Sequence, residues 1–538
     1  MNYKTGSSKD VVNTGTQLKR AIGFWQLVMI GLGGVIGSGW LLGAMYAAKA
    51  AGPASIISWI IGGLFFLVIA LIFAELGMVK SEAGALVRYP FYSNGAFLAA
   101  MVGWGIWAGH LTNPPLEATA VTQYISSVIP GLYAGNVLSG FGVLTAMGFM
   151  ALFVLVNYFG VKLFAITNQW VTTIKFIVPV ITIIALFSTG LQGGNNFSNA
   201  SYGGFAPYGY APALGAIATA GLVFAYTGFR NILNMSGETK NPKKTIPRAL
   251  ITVILISMAL YILLEVAFIG ALPGGNLIHG WHGINLTSPF AQLALAINFS
   301  WLYTIILADS VYSPAGSSLV YTAGNARMVH ALSNNRFLPK FIGKIDSKWA
   351  IPRRALILNY FLGLLLLIPL KSWIAIISLL GTMGVYTLSY AAVPLLVFRK
   401  SGITQDDSKL KAMEILAPIG FVLGTLIIYW AGFPHLYLGS IIMLIGVFYY
   451  LITFAFRKEK PKHFREGIWF AVYIVFVLGF SYIGSFHGLG IVPSPYDSIV
   501  VAIVSLGIMY WGVKSGISYV KANDIKELMN LEPMPLLD

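Results

Sequence analysis

The sequence predicts an all-α integral membrane protein of about fourteen transmembrane helices, and three observations predict it. Of 538 residues, 57% are hydrophobic and 10% are charged, whereas soluble globular chains are roughly 25% charged. Apolar runs long enough to cross about 30 Å of hydrocarbon recur along the chain. Basic residues crowd into alternate connections between those runs. Cysteine is absent, which removes disulfides, thiolate metal sites, palmitoylation and a cysteine nucleophile together.

Windows of about 19 residues place apolar helices near 21–49, 53–79, 95–128, 139–160, 163–190, 212–236, 247–272, 290–326, 355–370, 373–398, 413–431, 435–456, 468–486 and 497–519. The polar stretch 1–20 carries Lys4, Lys9, Lys19 and Arg20 with no cleavage site after the first run, so it reads as a cytoplasmic tail and not a signal peptide. Residues 520–538 form the second tail. An even number of crossings returns both termini to one side, and that side is the basic one: 30 of the 34 Lys and Arg fall in the segments assigned inside. Lys49 and Lys371 fall outside, while Lys175 and Arg230 lie within spans. The net charge of +16 therefore serves insertion and the anionic inner leaflet of the lipid bilayer, and calls for no nucleic-acid partner.

Two spans read as broken. In the first, Gly31, Gly33, Gly34, Gly37 and Gly39 crowd the middle of the helix, each costing about 1 kcal/mol of helix propensity. Gly33 and Gly37 suit close helix packing. Equally, an unwound Gly37-Ser38-Gly39 offers free amides that hold a carboxylate. The sixth span is interrupted over Phe224-Ala225-Tyr226-Thr227-Gly228-Phe229-Arg230-Asn231, where a glycine and a charge follow an apolar half-helix. The breaks lie five helices apart. Five is odd, so the first helices of the two sets cross in opposite directions, as an inverted repeat requires.

At this point the chain resembles the amino acid/polyamine/organocation (APC) superfamily. Ile36-Gly37-Ser38-Gly39-Trp40 is similar to its first-helix signature, and Phe73-Ala74-Glu75-Leu76-Gly77 to the end of its second helix. Phe224–Phe229 with Gly237–Arg248 resembles its sixth helix and following loop; Ser313–Ser317 and Thr322–Arg327 resemble its eighth. The resemblance implies a LeuT-like fold, that of the leucine transporter. Its two inverted five-helix repeats would occupy 21–190 and 212–398, with four additional helices over 413–519. It implies an amino acid held between the breaks: amides of Gly37, Ser38 and Gly39, next to Ile36, on the α-carboxylate, and carbonyls near Phe224, Ala225 and Thr227, before Gly228, on the amino group. Tyr226 or Phe224 would cover the ligand. Two features depart from the pattern: many members carry an acidic residue at Arg230, and many have twelve spans. The span count resembles the fourteen-span acidic amino acid/proton symporter branch.

Ionisable residues at membrane depth are costly and mark function. Lys175 lies thirteen residues beyond Lys162, about 20 Å along a helix, too deep to snorkel. By resemblance to proton-coupled relatives it is the coupling group; the alternative is a permanent ion pair to Asp309. Asp309, Ser313 and Ser317 share one helical stripe, suited either to sodium or to proton exchange with Lys175. Arg230 suits either a second carboxylate on an acidic substrate or, preferably, an inner gate against Glu75 or Glu238. Glu117, after the Pro114-Pro115 kink, would read substrate, exchange protons or pack. Glu75 and Glu265 read as near the two surfaces, and His110 as a packing residue. His279 and His282 lack a third ligand, so no metal site is predicted, and no cofactor motif appears. Asn196, Asn199 and Asn285 begin N-x-Ser/Thr triplets in outer loops.

These readings predict a secondary active transporter that imports an amino acid across the plasma membrane by proton symport with alternating access. Sodium symport and amino acid antiport remain as alternatives. A receptor or channel on the same fold is the reading from another class. No catalytic motif argues for an enzyme, and the oligomeric state is left open.

Overall fold

The computed structural model describes residues 22–81, 85–159, 161–189, 196–334, 337–346, 351–456, 463–525 and 529. The N-terminal tail, most of the C-terminal tail, the Lys162 side chain and the Glu238 side chain lie outside them, and with them the four N-terminal basic residues used for orientation. The first span is α1 (Phe24–Val35) and α2 (Ser38–Ala51), followed by α3 (Ser55–Val79). The third is α4 (Ala85–Leu111) and α5 (Asn113–Ile125). A hairpin of Tyr133–Ala134 and Val137–Leu138 leads to α6 (Gly140–Tyr158) and α7 (Val161–Ser188). The sixth span is α8 (Ala211–Thr219), α9 (Leu222–Thr227) and α10 (Arg230–Asn234). Then come α11 (Pro242–Ala271), α12 (Pro289–Ala296) with α13 (Ser300–Asn334), α14 (Arg353–Leu370), and α15 (Trp373–Ser389) with α16 (Ala392–Lys400). The last four are α17 (Met413–Trp430), α18 (Phe433–Phe456), α19 (Phe464–Ile483) and α20 (Tyr496–Ala522).

Each of the fourteen expected segments is thus occupied by helix. Among the described residues, ten helices are long and apolar enough to cross a membrane, eleven with the bent pair of the sixth span. The long helices α4 and α13 fall short on apolarity, because they carry buried polar residues: Asn94 and His110 on one, Asp309, Ser313, Ser317 and Ser318 on the other. Such residues are tolerated at that depth where they face the bundle interior.

Several helices of the first expected set pack on the matching helix of the second, whereas α7 packs on α1, α11 and α13. α3 packs most extensively on α11, α5 and α4 on α13, and α1 and α2 on α8 to α10. That pairing is what an inverted repeat produces. α4 begins ten residues before the expected span because Gly95, at φ +81, bends the helix without ending it. α19 and α20 pack on this kink: the Asn94 amide donates to the carbonyls of Glu466 (3.0 Å) and Gly512 (2.9 Å). Of the asparagine triplets, Asn196 is not exposed; its amide is buried and donates to the carbonyls of Ile269 and Leu272.

Candidate functional site

The first break falls where the glycines place it. α1 ends at Val35, Gly37 takes φ −134 and ψ −142, and α2 starts at Ser38. In the sixth span the sharp break lies earlier than expected. The axis turns by 53° at Ala220–Gly221, where Gly221 adopts φ +98 and a Cβ would lie 2.7 Å from the Trp373 ring. Only glycine suits that conformation. Phe224–Thr227 is itself one helical turn, and a milder interruption follows at Gly228–Phe229. Carbonyls of that turn already have side-chain donors: Thr227 Oγ1 on Phe224 O (3.0 Å) and Arg230 Nε on Thr227 O (3.3 Å).

The two breaks touch. A Cβ on Gly34 would meet the Asn231 amide and, at 3.2 Å, the Gly228 carbonyl; one on Gly228 would collide with the backbone of Gly34 and Val35. Gly39 faces α9, with its virtual Cβ 3.4 Å from the Phe224 ring. Phe224, and not Tyr226, is therefore the aromatic that lies against the first break. Tyr226 turns toward α3, where its hydroxyl donates to Trp59 O at 3.0 Å.

The amide of Ser38 is occupied. It donates to Glu117 Oε2 at 2.9 Å, while Glu117 Oε1 has no partner and the side chain is fully buried. Gly37 packs so closely on this carboxylate and on Ser317 that no Cβ fits between them. Ser38 Oγ accepts from the Trp373 indole at 2.8 Å, and Trp373 stacks on Tyr46 with centroids 5.3 Å apart. Tyr46 lines a cavity of about 320 Å³ together with Met45, Lys49, Gln123, Tyr133 and His282. One indole thus separates that cavity from the break.

Lys175 is buried and donates to Gly33 O at 2.8 Å, at the negative end of the α1 dipole. A Cβ on Gly316 of α13 would lie 3.3 Å from its Nζ. Among the described residues no carboxylate lies within ion-pair distance of Lys175. Asp309 instead accepts from the Trp40 indole through Oδ2 at 3.1 Å. Ser313 lies beside this carboxylate and Ser317 beside that of Glu117, so that Asp309, Ser313 and Ser317 form a buried polar stripe on α13.

Of the two gate partners expected for Arg230, Glu75 is engaged elsewhere and the Glu238 side chain lies outside the described residues. Glu75 is held by Arg399 through a bidentate pair (2.6 and 2.7 Å) and by the Leu410 amide (2.9 Å), which leaves its oxygens saturated. Arg230 is 2% exposed, with Nη1 unpartnered and no acidic partner among the described residues. Near it, Tyr321 and His110 lie with ring centroids 5.2 Å apart, the Tyr321 hydroxyl beside the Arg230 guanidinium and Thr227, and His110 Nε2 is buried without a partner. Glu265, expected near a surface, is fully buried.

Sequence reasoning missed Trp373, Trp40 and Tyr261, whose hydroxyl donates to Val35 O at 3.0 Å. The signal present was that buried indoles and phenols seek acceptors; which acceptor, no spacing could tell.

The arrangement can bind a zwitterion: amides and a cation for carboxylates, acceptor oxygens for ammonium, all out of water. Two relatives from Bacillus subtilis (strain 168) align over nearly the whole chain. The glutamate/serine transporter AimA is 36% identical over 524 residues, covering 95% of this chain and 97% of its own. The aspartate-proton symporter is 34% identical over 518 residues, covering 93% and 97%. The human cationic amino acid transporter 4 is 25% identical over 402 residues, 72% of this chain and 61% of its own. Residues 26–489 match the amino acid permease family. With that match and those identities, the chain belongs to the amino acid permease family, within the APC superfamily.

Proposed function

We propose that this protein is a secondary active transporter, not an enzyme, that imports an acidic amino acid across the plasma membrane by proton symport with alternating access. The observation that carries the reading is the Glu117 carboxylate on the Ser38 amide. An arriving α-carboxylate competes for that same amide. Two carboxylates do not share a dry site unless one is protonated, so substrate binding drives a proton onto Glu117. Ile36, Gly37, Ser38 and Gly39 then line the α-carboxylate, and Phe224 to Gly228 line the opposite wall with the Phe224 ring as cover.

Lys175 ties the end of α1 to α13 and senses the charge on Glu117, which makes it the coupling residue. Arg230 supplies the second cation, for the side-chain carboxylate. Glutamate and aspartate in the names of the two close relatives support that class. The α-ammonium turns to the buried oxygens of Asp309, Ser313 and Ser317. That same oxygen stripe favours sodium symport as a second reading.

The basic segments set the tails inside and the cavity bounded by Tyr46 outside. Repeats over 21–190 and 212–398 rock about the joined breaks, with 413–519 as a brace. Uptake of labelled glutamate or aspartate into proteoliposomes tests this: a proton gradient without sodium drives accumulation, sodium alone does not, and a receptor or channel gives no concentrative uptake.

A further inference from the structure

Glu265 is a fully buried carboxyl group that the roles above do not use. It lies on α11 one turn beyond Tyr261. Its Oε2 accepts from the Trp59 indole at 2.9 Å, and its Oε1 contacts Ser55 Oγ. Ser55 Oγ also lies 2.7 Å from the carbonyl oxygen of Gly52. A hydroxyl has one proton to donate, and a carbonyl has none. Both contacts are hydrogen bonds at once only if the Ser55 proton goes to Gly52 and the proton shared with Oε1 belongs to Glu265.

The surroundings agree. The charged residues with described side chains on the helices packed on α11 are Lys49 on α2, Glu75 on α3, Lys175 on α7 and Arg230 on α10, and none of them forms an ion pair with Glu265; the Lys162 and Glu238 side chains, on α7 and in the turn before α11, lie outside the described residues. Lys243, Lys244 and Arg248 are at the far end of α11 itself. The nearby phenols point elsewhere: Tyr226 to Trp59 O and Tyr261 to Val35 O, while Tyr46 stacks on Trp373. A bare carboxylate here would be buried without a countercharge.

The chain from Glu265 through Ser55 to Gly52 ends at the corner between α2 and α3, where Gly52 takes φ +62. Trp59 and Tyr261, stacked 4.9 Å apart, connect the same carboxyl to the end of α1. Glu265 is thus linked to the two arms of the first break, to α2 through Ser55 and to α1 through Trp59 and Tyr261.

We propose that Glu265 is a second proton-binding site of this transporter, neutral while α2 is docked and deprotonated when α2 swings away. When the Gly52 carbonyl leaves, the Ser55 hydroxyl turns its proton to Oε1. Two donors then hold the carboxylate, and the carboxyl proton passes to water.

The release step rests on the transport reading, whereas protonation in the docked state does not. Infrared difference spectra of the full-length protein in lipid vesicles separate the two. A protonated-carboxyl band at neutral pH, missing in Glu265→Gln and diminished when glutamate or aspartate turns the transporter over, is the expected result. The glutamine amide reproduces the donor to Ser55 and the acceptor for Trp59, so this variant should still exchange substrate while moving one proton fewer per substrate. Ser55→Ala assigns the band independently by shifting its frequency. Spectra identical in wild type and both variants, a band unchanged by turnover, or an unchanged proton ratio in Glu265→Gln would overturn the proposal. Wild-type vesicles without uptake would defeat the transport reading alone, with the band still deciding whether Glu265 is protonated.

Discussion

The ammonium of Lys175 lies 2.8 Å from the carbonyl of Gly33, on the last turn of α1. The groups proposed for substrate and for coupling therefore hold one stretch of backbone, since Gly33 is five residues before the amide that Glu117 holds. Lys175→Ala should retain substrate binding but lose pH-driven accumulation. Binding in detergent and uptake under an imposed pH gradient measure the two halves; unchanged accumulation in the variant removes the coupling role.

Arg230 has no acidic partner among the described residues and is nearly inaccessible to solvent. An uncompensated buried cation beside a break is best explained by an anionic ligand that completes it. Arg230→Gln should weaken glutamate and aspartate binding about tenfold to hundredfold, about 1.4 to 2.8 kcal/mol, while neutral amino acids change far less. Competition assays against a labelled acidic substrate read this difference. Equal losses for acidic and neutral ligands would assign Arg230 to the scaffold.

The contact between the breaks predicts a stability effect. A methyl at Gly228 would meet backbone at Gly34 and Val35, which cannot move aside as a side chain does. Gly228→Ala should cost about 1 to 3 kcal/mol through overpacking and abolish uptake, with thermal unfolding in detergent as the check.

The Glu75–Arg399 pair tests the brace between α3 and α16. Both side chains are largely buried, at 1% and 8% exposure. Removing one partner strands the other charge, at about 3 kcal/mol. Glu75→Met and Arg399→Met should each lower the melting temperature, and the double variant should recover most of the loss.

Much of this fold was legible because the bilayer imposes strong rules: length, apolarity and positive charge located the spans, and clustered glycines located the first break. The sixth break was read several residues late. Gly228 stands beside the conspicuous Arg230, whereas the true bend at Gly221 sits in an Ala-rich stretch with no polar marker. Helical spacing says which residues share a face, as for Asp309, Ser313 and Ser317, but not which helix that face meets. Hence the partners that define the site stayed hidden: Glu117 is 79 residues from Ser38, Asp309 is 269 from Trp40, and Trp373 is 335 from Ser38. Arg399, the partner of Glu75, escaped notice for the same reason.

Displacement of Glu117 from the Ser38 amide by the substrate carboxylate is the central claim, and proton flux accompanying uptake tests it most directly. In proteoliposomes without sodium, wild-type protein should acidify the lumen as labelled glutamate or aspartate enters, and Glu117→Gln should bind substrate with little pH dependence and accumulate none. Accumulation by Glu117→Gln with undiminished proton flux would contradict the account.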